Sequence, residues 1–243
     1  MAIRDIEHNG KKFKIAYDVI NPGKDKNIIF LHGWGSNKEI MKCFKENFQQ
    51  FRHVYIDMPG FGKSTNDYIL NTGDYAEIID KFLNSLGLTK DIVIGHSFGG
   101  KVATLLNPEI LVLLASAGIV MPKPLKVRVK IKTFKLLKKL GLSSFRKFFV
   151  SEDAKEMNEN MYETFKNVVD EDFTDRFSNY SGKTLVFGGK EDTAVPPAAV
   201  VKQAELLNTD YIMLNGDHYF FFNGTDAAKN RRLIEHKVLE CIK

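Results

Sequence analysis

The stretch Val93-Ile94-Gly95-His96-Ser97-Phe98-Gly99-Gly100 sets three glycines around one serine at the end of an apolar run. A plain turn does not need so many. Gly95-His96-Ser97-Phe98-Gly99 is a G-x-S-x-G sequence that follows the strand candidate Asp91-Ile92-Val93-Ile94 and opens the helix-like segment Phe98 to Leu106. In that context a tight strand-to-helix turn lifts the serine hydroxyl above a sheet, and the flanking glycines permit the crowded backbone. The competing reading is a glycine-rich turn with an incidental serine, so the rest of the chain has to decide.

Outward from this point, short apolar runs recur: Lys14 to Val19, Asn27 to Leu31, Val54 to Ile56, Ile92 to Ile94, Ile110 to Leu114, Thr184 to Phe187 and Tyr211 to Leu214. Runs of this length, bounded by Gly, Pro, Asn or Asp, fit strands buried on both faces of a parallel sheet. Between them, Lys38 to Gln50 and Asp74 to Leu86 carry apolar residues at helical spacing, with Thr72 as a cap and Gly87 as a stop for the second. The pattern predicts a doubly wound α/β fold. It breaks after Gly118: from Met121 to Tyr180 no strand candidate appears, only helix-like stretches, which predicts a helical lid over the carboxyl edge of the sheet. The expected division is therefore a core of residues 1–120 and 181–243 with a cap of residues 121–180.

The 243 residues, 44% of them hydrophobic, suffice for one domain with an insertion. The amino terminus lacks an apolar signal core, and the longest uncharged apolar stretch, Ile110 to Met121, is too short for a bilayer. A soluble, cytoplasmic protein is expected. Cys43 and Cys241 have neither CxxC spacing nor a histidine cluster, so they are expected to be packing residues. The net charge of +5 is a local matter, because Met121 to Val150 holds ten basic residues and no acid. That argues against a nucleic-acid partner. The run reads as a solvated face, with steering of anionic substrates or weak contact with an anionic membrane surface as alternatives.

A serine hydroxyl becomes a useful nucleophile when an imidazole takes its proton and a carboxylate orients that imidazole. Thr184 to Phe187 runs into Gly188-Gly189-Lys190-Glu191-Asp192, which offers Asp192; Tyr211 to Leu214 runs into Asn215-Gly216-Asp217-His218, which offers His218. Both lie just past the carboxyl end of a strand, where sites in open α/β sheets form. An oxyanion hole needs two backbone N–H groups. Phe98 follows the nucleophile, and Trp34 lies in His32-Gly33-Trp34-Gly35 after the strand Asn27 to Leu31. His32 is expected to orient its own loop and His96 to point away from the reaction. His8, His53 and His236 have no motif around them. Glu191 is an alternative acid, and Asp217 is expected to be a solvated loop residue.

Taken together, these motifs resemble the α/β-hydrolase superfamily over nearly the whole chain. Asp57-Met58-Pro59-Gly60-Phe61-Gly62-Lys63-Ser64 resembles its D-x-P-G-x-G-x-S loop, Gly188 to Asp192 its G-x-x-D acid loop and Gly216-Asp217-His218 its G-x-H loop. The resemblance implies a mostly parallel eight-stranded sheet flanked by helices, with a helical cap after the sixth strand. It implies a Ser97-Asp192-His218 triad, elbow glycines Gly95 and Gly99, and N–H donors at Trp34 and Phe98. Only Gly99 to Glu109 separates the elbow from the next strand, so the helix behind Ser97 is expected to span about two turns.

A serine at this position implies acyl chemistry, with neither metal nor organic cofactor required. His32-Gly33-Trp34-Gly35 with Gly95 to Gly100 is similar to small carboxylesterases. The Ala115-Ser116-Ala117-Gly118 stretch is also similar to hydrolases that cut carbon-carbon bonds in 2-hydroxy-6-oxo-dienoates. Those commonly carry H-G-x-G-P-G and G-N-S-x-G-G, where this chain has Ser36 and His96. Hydrolysis of a small carboxylic ester or thioester is the leading expectation. Carbon-carbon cleavage is the rival within the enzyme class, and a non-catalytic receptor or scaffold on the same fold is the rival outside it.

Overall fold

The computed structural model describes residues 1–121 and 158–242. One eight-stranded sheet runs through them, in the order β1 (Ala2–His8), β2 (Lys11–Ile20), β4 (Arg52–Ile56), β3 (Asn27–Leu31), β5 (Ile92–His96), β6 (Ile110–Leu114), β7 (Lys183–Gly189), β8 (Tyr211–Leu214). β1, β2 and β4 pair antiparallel; every pair from β4 through β8 is parallel. This is the α/β-hydrolase fold.

Continuous apolar runs became the central strands because both of their faces are covered. All five residues of β3, of β5 and of β6 are buried, and removing each large apolar side chain from water favours the fold by about 1.5–3 kcal/mol. Helices occupy the connections: α1 (Lys38–Met41), α2 (Thr72–Ser85), α3 (Phe98–Leu106), α4 (Glu159–Val168), α5 (Thr174–Ser178), α6 (Pro197–Leu206) and α7 (Ala227–Ile242). In α2, Tyr75, Ile78, Ile79, Phe82 and Leu83 form the buried stripe.

Two local expectations are corrected, and one strand is added to the seven runs read from the sequence. The helix expected over Lys38 to Gln50 stops at Met41 and passes into a 3-10 turn, Lys42–Phe44. Phe48 then takes a left-handed φ of 55°, with its N–H and the Asn47 side chain held by the carboxylate of Glu235 on α7. The cap of α2 is Asn71, one residue before Thr72. Its side chain accepts from Asp74 N–H at 3.0 Å while the Asp74 carboxylate accepts from Asn71 N–H at 2.8 Å. An additional strand, β1, forms a hairpin with β2 through Asn9 and Gly10, both at positive φ.

No strand occurs among the described residues between Leu114 and Lys183. Of the expected cap, residues 122–157 lie outside the described residues, and with them nearly all of the basic run and its apolar face. The part that is described is docked firmly. Leu70 N–H donates to Thr164 Oγ1 at 3.0 Å, and Asn167 Nδ2 donates to the Leu70 carbonyl at 3.1 Å. Lys101 of α3, almost fully buried, donates to the Val168 carbonyl at 2.6 Å and to Glu171 at 2.9 Å. Burial lowers the pKa of that ammonium, opposed by the Glu171 charge.

Candidate active site

The Ser97 turn is built as its glycines require. Ser97 sits between β5 and α3 at φ 51°, ψ −116°, a sparsely populated conformation for a residue with a Cβ. A Cβ on Gly95 would lie 2.4 Å from the Gly99 carbonyl oxygen, and one on Gly99 would lie 2.5 Å from those of Leu31 and His32. The turn therefore closes against both its own helix and the end of β3. Ser97 N–H donates to the Leu114 carbonyl, and the Ser97 carbonyl accepts from Gly100 and Ala117, which pins the turn to β6 and the loop beyond it. Behind it, α3 has nine residues and ends at Asn107 in a left-handed conformation. That is close to the expected two turns.

Past β7, Asp192 is wholly buried. Its Oδ1 accepts from the N–H groups of Ala194 and Val195, both at 2.8 Å, and its Oδ2 accepts from His218 Nδ1–H at 2.7 Å. Two backbone donors and one imidazole thus engage both oxygens of the carboxylate and fix its plane. His218 stands on the loop after β8 with its side chain 17% exposed. Its ring is 4.6 Å, centre to centre, from that of His96, the chain neighbour of Ser97. The structure brings Asp192 and His218 together, and sets Ser97 on the same edge of the sheet without a hydrogen bond between Ser97 and His218.

The loop after β3 abuts Ser97. A Cβ on Gly33 would approach Ser97 Cβ to 3.1 Å. The Trp34 ring packs edge-on against Phe98 and Phe61 and tilts against Phe165 of α4. Phe98 is the first residue of α3, so its backbone N–H has no partner within the helix. A cavity of about 270 Å³ lies between the loop after β6 (Ser116 to Met121), Val169 to Glu171, and Ala194 to Ala199 beside the acid loop. A larger one, about 360 Å³, lies at the amino ends of the strands among Lys26, Asp91, Glu109 and Lys183, away from Ser97.

The competing candidates have other tasks. Glu191 accepts from Gly216 N–H at 2.5 Å and thereby clamps the base loop. Asp217 accepts from Tyr219 N–H at 2.8 Å in a local turn. His32 donates from Nδ1–H to the Gly33 carbonyl at 2.8 Å and accepts from Met58 N–H at Nε2 at 3.0 Å. Burial pushes its pKa down to about 4, so it is neutral near pH 7. Asp57 is fully buried and accepts from Lys38 N–H, Lys38 Nζ and Lys63 N–H. The D-x-P-G-x-G-x-S loop is thus a structural knot beneath the site. His8 and His53 are buried and hydrogen-bonded, whereas His236 is exposed beside Glu240. Burial lifts the Cys43 thiol to about 12, leaving it protonated. Among the described residues no cluster of three potential metal ligands occurs, and no helix is long and apolar enough to cross a membrane.

The fold agrees with comparison to known proteins. The family model described as alpha/beta hydrolase fold matches residues 26–108, which take in the His32 loop, the Asp57 knot and the Ser97 turn. The chain has the α/β-hydrolase fold. Over 82 residues it is 39% identical to a pimeloyl-[acyl-carrier protein] methyl ester esterase of Shewanella woodyi, a match covering 34% of this chain and 30% of that protein. The matched part thus spans about a third of the length of such curated relatives. Among solved structures, a thermophilic esterase from Thermogutta terrifontis superposes with a TM-score of 0.72 at 16% identity, covering 99% of both chains. A meta-cleavage product hydrolase from Pseudomonas fluorescens superposes at 0.69 and 16% identity, covering 98% of both. At these identities the likeness is one of fold.

Proposed function

We propose that this protein is a serine hydrolase acting on small carboxylic esters or thioesters through an acyl-enzyme intermediate, with Ser97 as nucleophile, His218 as base and Asp192 as the orienting acid. The observation that carries this reading is the His218–Asp192 pair. A solvent-reachable imidazole is bonded at Nδ1 to a buried carboxylate whose second oxygen is already taken by two N–H groups. That arrangement keeps the proton on Nδ1 and leaves Nε2 as a base on the edge where the strained Ser97 turn stands. The resemblance of residues 26–108 to the hydrolase family, and of part of the chain to a methyl ester esterase, gives further support for the nucleophile and its loop.

The mechanism follows from these positions. Ser97 Oγ attacks the ester carbonyl carbon as His218 Nε2 takes its proton, and the carbonyl oxygen becomes an oxyanion. The N–H groups of Trp34 and Phe98 stabilise it; losing such a donor costs about 3 kcal/mol of transition-state stabilisation in comparable chemistry. His218 then hands its proton to the leaving alcohol or thiol, and the acyl group stays on Ser97. Water, deprotonated by His218, attacks that acyl-enzyme; the tetrahedral intermediate collapses, the proton returns to Ser97 Oγ and the acid leaves. Asp192 stays ionised and steadies the imidazolium in both halves. The cavity between the β6 loop and Ala194 to Ala199 combines apolar walls at Ala117, Ile119, Val195 and Pro196 with the carboxylates of Asp170 and Glu171.

Rates on p-nitrophenyl esters of increasing acyl length, for the wild type and Ser97→Ala, test this. Turnover that depends on Ser97 and peaks at a short or medium chain supports it. No turnover at any length in the folded wild type would remove the ester reading and move the trial to dienoate carbon-carbon substrates.

A further inference from the structure

The ring of His96 does more than pack. It closes β5 with no exposed surface. Its Nε2–H donates to the carbonyl oxygen of His218 at 3.0 Å, across 122 residues of sequence. Its ring lies against those of His218, Tyr219 and Phe221, with centres 4.6, 5.1 and 5.0 Å away. The opposite nitrogen, Nδ1, is buried with no hydrogen-bond partner and faces Gly33, whose Cβ position would come within 3.0 Å of it.

One imidazole therefore touches three pieces of the site: the oxyanion loop at Gly33, the nucleophile turn through its own chain, and the base loop at His218. The base loop is anchored elsewhere at Asn215 and Phe220 by Asn230, and at Gly216 by Glu191. Among the described residues, the group that holds the His218 peptide itself is His96.

We propose that His96 is a positioning residue for the reaction: its Nε2–H fixes the backbone of His218, and so the reach of that imidazole toward Ser97. This rests on the triad reading given above. The role requires a neutral ring with its proton on Nε2, because a proton on Nδ1 would have no acceptor beside Gly33. Burial, reinforced by the neighbouring His218, holds the pKa of His96 well below the ordinary histidine value, so that state persists through the neutral range. A donor in this place also explains why a polar ring is tolerated in a fully buried strand position, where an apolar residue would otherwise be expected.

The test pairs a variant with a measurement on the wild type. His96→Phe keeps an aromatic ring in the cluster and deletes the donor; His96→Gln restores a side-chain N–H. The account expects kcat of His96→Phe on an ester to fall about 10- to 100-fold with KM within about twofold. It also expects the low-field NMR resonance of His218 Nδ1–H to move or broaden, with partial recovery of both in His96→Gln. Wild-type kcat and an unmoved resonance in a folded His96→Phe would overturn it. Should His96→Phe not fold, ¹⁵N chemical shifts of the wild-type imidazoles still decide: a proton on Nδ1 of His96 contradicts the proposal. Ser97→Ala is measured in parallel. Turnover surviving that change would refute the triad, whereas turnover lost there but unchanged in His96→Phe would refute the role of His96 alone.

Discussion

Asp192 presents one carboxylate oxygen to two backbone N–H groups, of Ala194 and Val195, and the other to His218 Nδ1 at 2.7 Å. The two ends of this carboxylate are therefore not interchangeable. In Asp192→Asn the amide oxygen has to face the two N–H donors, which leaves its NH₂ against His218. Nδ1 must then act as an acceptor, which moves the imidazole proton to Nε2 and removes the base. We expect kcat to fall on the order of 10³–10⁴-fold with little change in the circular dichroism spectrum. Substantial activity in a folded Asp192→Asn would move the acid role elsewhere.

In the proposed mechanism Ser97 and His218 serve one event, so their losses should not multiply. Ser97→Ala and His218→Ala should each remove nearly all turnover, and the double variant should be about as slow as either single one. Steady-state rates at high enzyme concentration check this. A double variant slower than both by the product of the single losses would contradict a shared step.

The elbow glycines should tolerate no side chain. Gly99→Ala places a Cβ 2.5 Å from two carbonyl oxygens of β3 and the loop after it, and backbone cannot swing aside as a flexible side chain can. A loss of roughly 1–3 kcal/mol or more, or failure to fold, is expected from urea unfolding. Gly87→Asn is the contrast: its φ is 62° but nothing lies within 4 Å of the Cβ position, so the cost should stay below about 1 kcal/mol.

Three buried histidines predict how stability responds to acid. His32 has its pKa depressed to about 4, chiefly by burial, and His53 and His96 are depressed in the same direction for the same reason. The unfolded chain takes up these protons near pH 6.5 while the folded chain resists them. Unfolding therefore binds protons, and stability that is full above pH 6.5 declines as pH falls toward 4. His32 alone contributes roughly 3 kcal/mol to this decline. Urea midpoints at pH 7.5, 6, 5 and 4 measure it, and His32→Gln should flatten the slope. A midpoint that does not move over that range would show these rings to be protonated in the native state.

Much of this arrangement was legible in the chain because its signals are local. The parallel region is marked by short apolar runs bounded by Gly, Pro, Asn or Asp, and each candidate site residue follows one of them within a few positions. What was not legible depended on distant partners. β1 reads as AIRDIEH and is mostly exposed, so its strand nature shows only in the Asn9-Gly10 turn that folds it back on β2. The stretch after Met41 keeps a helical spacing of Phe44 and Phe48, yet the chain turns there because Glu235 of the last helix captures the Phe48 N–H. Asn71 outcompeted Thr72 as a cap through its reciprocal bond with Asp74, while Thr72 Oγ1 was drawn to Glu171. The hydrogen bond of His96 to a carbonyl 122 residues away leaves no trace in its own neighbourhood.

Covalent capture with a phosphonate shows whether Ser97 is the reactive group. The protein is incubated with an alkyl p-nitrophenyl phosphonate, then digested and read by mass spectrometry, alongside His218→Ala and Ser97→Ala. The account predicts one phosphonyl adduct, on Ser97, formed much more slowly in His218→Ala and absent in Ser97→Ala. A wild-type protein that hydrolyses esters yet carries its adduct on another residue, or retains full labelling in Ser97→Ala, would contradict it.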